Sequence, residues 1–152
     1  METNNTPTPT TIPIVVEIPE VDLSEIIEMY RLKTAKYTVS GPLVLGGILA
    51  GADDKHINLL SEFGDNLGVA FQIKDDILGI FAEGDSIGKS NFSDMCEGKQ
   101  TVLTAHFYKT ASDEMLKHFS CIYGNANSGE DELLCVREMF IKAGSLEFAE
   151  TL

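Results

Sequence analysis

The sequence holds no tryptophan, three cysteines and, beyond residue 19, a single proline. Each scarcity excludes something. Cys96, Cys121 and Cys135 are odd in number and form no Cys-x-x-Cys pair, so neither a disulfide framework nor a zinc site is indicated. Reduced thiols of a cytoplasmic protein are the expectation. Pro7, Pro9, Pro13 and Pro19 crowd the start and Pro42 stands alone after them. The rest is free to be helical, since an interior proline costs a helix about 3 kcal/mol. Bases are scarce too: 11 Lys+Arg against 24 Asp+Glu give a net charge of −13. Such a balance argues against nucleic acid, whose phosphates need clustered Lys and Arg, and against anionic membranes. It suits solubility and cations such as Mg²⁺. The longest small-and-apolar run, Leu43–Ala52, is far short of the about 20 residues that span a bilayer, so no stable membrane insertion is expected. Residues 1–11 lack the basic start and apolar stretch of a secretion signal.

What is present is helical punctuation. Residues 1–21 read as a disordered or extended arm, and 22–152 as one helical domain. Asp22 with Glu25 opens a helix over Leu23–Tyr37. Ser40-Gly41-Pro42 reads as a turn before a helix over Leu43–Ala52. Asp53-Asp54 can cap a long helix reaching about Ala82. Glu83–Gly98 reads as a loop, and helices fit Gln100–Thr110, Ser112–Tyr123 and Asp131–Thr151. The fold class is all-α. Met115, Met139, Phe107, Phe119 and Phe140 read as helix packing. Gly46 and Gly47 read as sites of close helix approach. His56, His106 and His118 lack ligand spacing.

The long helix carries a stripe. At 100° per residue, Gln72, Asp75, Asp76 and Gly79 share a face with Gly68 and Asp65. Phe63, Val69, Ala70, Phe71, Ile73, Ile77, Leu78, Ile80 and Phe81 cover most other directions. Two readings stand. The acids can lie on the solvated face of a surface helix. Alternatively, a helix apolar nearly all round is buried, and its carboxylates then face a cavity, a cation or a charged ligand. The loop beyond carries Gly88-Lys89 and is followed by Lys99. Acids that hold a divalent metal, beside lysines that hold phosphate, make a diphosphate site. Gly88-Lys89-Ser90 is no P-loop, because Glu83 stands where that motif needs glycine and no strand precedes it.

Phe71-Gln72-Ile73-Lys74-Asp75-Asp76-Ile77-Leu78-Gly79, then Gly88-Lys89, Ser93-Asp94 and Glu97-Gly98-Lys99-Gln100-Thr101, resembles the second aspartate-rich region of the trans-isoprenyl diphosphate synthases, or polyprenyl synthetases. Tyr30-Arg31-Leu32-Lys33-Thr34-Ala35 resembles the family's Lys-Thr motif. Order and spacing agree over about residues 22–150. The resemblance implies a helical bundle of the isoprenoid synthase type around a deep cavity. It implies prenyl transfer: an allylic diphosphate ionises, alkylates isopentenyl diphosphate, and a proton is lost. On the matching positions, Asp75 and Asp76 would hold Mg²⁺. Lys33, Lys89 and Lys99 would bind diphosphate, and Thr34 and Gln72 would line the site and stabilise the carbocation. Gly79 replaces the motif's fifth-position aspartate, and no first aspartate-rich motif precedes Lys33. The chain therefore reads as a C-terminal-half piece, a fragment or a partner-dependent chain. A non-catalytic subunit or diphosphate-binding module of a full-length synthase is the alternative. Association as a homo- or hetero-oligomer through an apolar helix face left exposed is expected.

Overall fold

The computed structural model describes residues 21–82 and 92–152. The expected arm over 1–21, apart from Val21, and residues 83–91 with Lys89 lie outside the described residues. Among the described residues, every regular element is a helix: α1 (Leu23–Tyr30), a π-helical segment (Arg31–Ser40), α2 (Gly41–Leu49), α3 (Asp54–Phe81), α4 (Ser93–Cys96), α5 (Val102–Thr110), α6 (Asp113–Ile122), α7 (Glu130–Lys142) and α8 (Ser145–Thr151). No described helix is long and apolar enough to cross a membrane.

N-cap side chains start four of them. Asp22 accepts from the Ser24 N–H at 2.9 Å while Glu25 reaches back to the Asp22 N–H at 3.3 Å. Asp53 accepts from the His56 N–H at 2.9 Å, and Thr101 and Ser112 do the same for α5 and α6. Each bond satisfies a donor that the first helical turn leaves orphaned.

Three expectations are corrected. Ser40-Gly41-Pro42 is not a turn: Ser40 and Gly41 are both right-handed helical, and winding runs unbroken from Leu23 to Leu49. Pro42 falls in the first turn of α2, directly after the π-helical segment. The loop over Glu83–Gly98 contains a helix, α4. The single helix expected over Asp131–Thr151 is two, because Gly144 takes φ 72°, a left-handed value that ends α7 and turns the chain into α8.

The core lies between α5, α6 and α7. Phe107, Phe119, Tyr123 and Phe140 are fully buried, and the Phe107–Phe119 and Phe119–Tyr123 ring centroids are each 4.6 Å apart. Such pairs add about 0.5–1.5 kcal/mol each beyond their buried area. The packing role read for Met139 holds, since it is buried in this core. His106 is an ordinary helix histidine that stacks on Phe148 and meets Ser145 at 3.0 Å. Gly47 abuts Leu60 and Ile57 as expected of a close approach, whereas Gly46 has nothing near it.

On the other side, α3 runs along the π-helical segment. A Cβ on Gly64 would stand 2.5 Å from Ser40 Cα, and one on Gly68 would overlap Ala35 Cα. Two glycines one turn apart thus bring two backbones together. The expectation that α3 is buried all round is also corrected. Its outer side is open at Leu59, Phe63, Leu67 and Phe71, the last 63% exposed, and α2 adds Leu45, Ile48 and Leu49. No described element packs over these side chains. Lys74 reaches solvent.

Candidate active site

The polar stripe of α3 splits in two. Gly68, Gln72 and Asp76 turn inward onto the helix that faces them, while Asp75 is exposed. Asp76 is 1% exposed and therefore needs partners, because an uncompensated buried carboxylate is very costly. It has several. The Tyr30 hydroxyl donates a short hydrogen bond to Oδ2. Gln72 Nε2 donates to Oδ1 at 3.0 Å, and Lys99 Nζ pairs with Oδ1 at 3.0 Å. Lys99 also binds Asp94 Oδ2 at 2.7 Å. The buried acid does face a cation, as the stripe implied, but the cation is the chain's own Lys99.

Each partner is in turn held. Tyr30 is 1% exposed, and its oxygen accepts from the Val102 N–H at 3.2 Å, which ties α1 to the start of α5. Thr34 donates to Gln72 Oε1 at 2.6 Å, fixing the amide so that its NH₂ points at Asp76 and, at 3.3 Å, at Asp75. The Tyr123 hydroxyl, rooted in the aromatic core, donates to the Lys99 carbonyl at 2.6 Å. Gly79 admits α4: a Cβ there would come 2.9 Å from Asp94 Oδ2. Glycine in place of the motif's fifth-position aspartate therefore makes room for a carboxylate from another element.

Electrostatics follow from this arrangement. Burial lowers the Lys99 pKa, but the Asp94 hydrogen bond and the Asp76 charge outweigh it and leave the value above the usual 10.5. Burial first, then the Asp76 charge and hydrogen bond, push Tyr30 well above 10.0, and burial does the same to Tyr123. In the unfolded chain these groups release protons earlier. Their stabilisation is therefore complete below the unfolded values, near 10, and is lost as pH rises through the folded ones. Thermal midpoints are expected to fall steeply above that pH, and less steeply in Tyr30→Phe. An unchanged alkaline limb in that variant would contradict the network.

The fold thus brings together Thr34, Gln72, Asp75, Asp76 and Lys99. It does not bring in Lys33, which is exposed beside Glu28, Met29 and Leu32 and forms no ion pair with a described residue. Tyr30, Asp94 and Tyr123 are participants to which the sequence reading gave no role. Tyr30 sits four residues after Ile26 on an apolar face, so its hydroxyl was hidden behind its hydrophobicity. Asp94 and Lys99 are five apart, which is no helical pairing distance.

Among the described residues no group of three or more His, Cys, Asp or Glu side chains converges as a metal cage. That fits Mg²⁺, which keeps several waters and is usually bound by one or two carboxylates together with substrate phosphates. Asp75 is open to such a role. Asp76 has about one acceptor position left of the four that a carboxylate offers.

Comparison with known proteins agrees with the motif. The polyprenyl synthetase family model matches residues 15–139. The geranylgeranyl diphosphate synthase of Sulfolobus acidocaldarius is 37% identical over 133 residues, which is 88% of this chain and 40% of that protein. The fold matches a geranylgeranyl pyrophosphate synthetase from Pyrococcus horikoshii with TM-score 0.75 and 33% identity, over 85% of this chain and 38% of that one. It matches a geranylgeranyl pyrophosphate synthase from Corynebacterium glutamicum, complexed with isoprenyl diphosphate and magnesium, with TM-score 0.79 and 31% identity, over 84% of this chain and 36% of that one. The chain spans about two fifths of the length of such relatives. With more than three quarters of its residues inside the family model, the chain belongs to the polyprenyl synthetase family.

Proposed function

We propose that this chain supplies the second metal-and-diphosphate half of a prenyltransferase site, taking an allylic diphosphate for condensation with isopentenyl diphosphate. The observation that carries the reading is the split of the Asp-Asp pair. Asp75 stands open at the surface, directly beside an Asp76 that Tyr30, Gln72 and Lys99 hold rigid. A preorganised acid next to a fixed cation is what binding a metal diphosphate requires. Asp75 is the direct Mg²⁺ ligand, with Asp76 orienting the end of the stripe and offering its remaining acceptor position. When bound, Mg²⁺ supplies neutralising charge to the diphosphate as a leaving group. Lys99 adds a positive charge from the protein side. Lys33 stands outside this cluster and pairs with no described acid, so it would have to turn in from beside Thr34 to serve, with Lys89, as a further diphosphate ligand. Thr34 and Gln72, 8% exposed each, present oxygen dipoles toward positive charge developing on the allylic carbon.

The decisive experiment is calorimetric titration of the chain with geranyl diphosphate in the presence and absence of Mg²⁺. Binding is expected only with Mg²⁺, and Asp75→Ala is expected to lose it at least about tenfold while leaving the thermal midpoint nearly unchanged, since Asp75 is exposed. Mg²⁺-independent binding, or a variant that binds normally, would overturn the assignment.

A second reading, a subunit that modifies a longer synthase without turnover of its own, is favoured by one observation. The open side of α2 and α3 exposes seven large apolar side chains from Leu45 to Phe71, and contiguous exposed apolar surface of this kind marks association sites. Sedimentation of the same samples separates the two. Association through that side with little prenyl transfer supports the subunit, and a clean monomer at high concentration speaks against it.

A further inference from the structure

Arg137 of α7 stands far in sequence from every residue of the site, yet it touches both ends of the segment 83–91. At one end α3 stops at Phe81 and Ala82 turns extended, and Arg137 Nη2 donates to the Ala82 carbonyl at 3.4 Å. At the other end the guanidinium carbon lies 4.8 Å from the ring centroid of Phe92, the residue that precedes α4. One guanidinium can do both, because its donors lie in a plane whose face remains free to cover an aromatic ring. Its position is inherited from the core: Val136, its neighbour in sequence, and Phe140, almost one turn on, are both fully buried.

Fixing these two ends fixes what lies just beyond them. Asp76 sits less than two turns before Ala82, and Asp94 follows Phe92 by two residues. Asp94 lies against Gly79 and shares Lys99 with Asp76. We propose that Arg137 is a positioning residue of the diphosphate site, a clasp that closes the neck between α3 and α4 so that Asp94 and Lys99 are seated against Asp76. The proposal rests on the diphosphate-binding function argued above. Arg137 acts through Ala82 and Phe92, the two residues it contacts on either side of 83–91.

The test uses the 152-residue chain, with inorganic pyrophosphate and Mg²⁺ as the probe. Arg137→Ala is expected to weaken pyrophosphate binding about tenfold and to speed amide exchange over Phe92–Glu97 by a similar factor, with exchange in α5 and α6 unchanged. Arg137→Lys keeps a cation over the ring but loses the planar fork, and should recover part of both. Phe92→Leu removes only the ring, and about a threefold loss is expected. Should Arg137→Ala fail to fold, the other two variants decide by the same readings. Wild-type affinity and wild-type exchange at Phe92–Glu97 in these variants would overturn the proposal. So would a uniform loss of protection over α5 to α8, which would make Arg137 a general strut. A wild-type chain that binds no pyrophosphate overturns the function itself, and the positioning role with it. Normal binding that survives every variant overturns the positioning role alone.

Discussion

Asp76→Ala is expected to cost about 3–5 kcal/mol, the usual result of breaking a buried ion pair by removing one partner. The substitution leaves the Tyr30 hydroxyl and the Gln72 amide short of an acceptor, and leaves Lys99 with Asp94 as its one remaining carboxylate. Three elements lose their common point at once: α1 through Tyr30, α3 itself, and the approach to α5 through Lys99. A domain of this size has about 5–15 kcal/mol in total, so the variant should sit near the edge of folding at 37 °C. Asp76→Asn keeps the shape and one acceptor but not the charge, and about 1–3 kcal/mol is expected. Urea unfolding measures both. If Asp76→Ala lies within about 1 kcal/mol of the parent, the carboxylate is no hub and the network must be redrawn. The contrast with Asp75→Ala is the informative part: neighbouring aspartates in one motif should separate cleanly, one altering ligand binding at nearly constant stability, the other altering both.

Gly68→Val should be about as damaging for a different reason. A Cβ there overlaps the Ala35 backbone, and backbone cannot step aside as a side-chain tip can. Overpacking of this kind costs about 1–3 kcal/mol and occasionally more, and the upper end is expected where two helices must separate. Thr34 and Ala35 would move with their segment, so the Thr34–Gln72 hydrogen bond should fail as well. The control is Gly46→Ala, on α2, where nothing lies within 4 Å. An exposed helical glycine replaced by alanine gains about 0.5–1 kcal/mol, so the two glycine substitutions should shift the thermal midpoint in opposite directions. A neutral Gly68→Val would mean that α3 and the π-helical segment do not touch in solution.

The helical class, the caps at Asp22 and Asp53, and the long α3 were legible because they rest on local chemistry: capping side chains, absent prolines and an apolar period. The site was legible in part. Motif positions named Thr34, Gln72, Asp75, Asp76 and Lys99, and the fold unites them. What stayed hidden was the difference between the two aspartates, because both occupy one stripe and only the facing helix decides which is covered. Tyr30 was hidden because an aromatic on an apolar face advertises its ring and not its hydroxyl. The π-helical winding of Arg31–Ser40 has no signature of composition that we can name. The apolar surround of α3 misled for a simple reason. Hydrophobic residues predict a covering surface, and they cannot say which chain or segment provides it.

The pairing of that segment with α3 has a consequence for how the sequence can change. Along α3 the matched residues are Gly64, Gly68, Gln72 and Asp76, evenly spaced; opposite them stand Ser40, Ala35, Thr34 and Tyr30, unevenly spaced. The two rows behave like the scales of a vernier, which coincide in a single alignment. Slipping α3 by one turn would set Asp76 against Thr34, or carry it past Tyr30, and either way leave Tyr30 facing no carboxylate. Losing one residue between Arg31 and Ser40 would shift everything before the gap in register against α3. Substitutions there can be absorbed one at a time more readily than a change in length, and this stretch should resist insertion and deletion more than the described turns between helices.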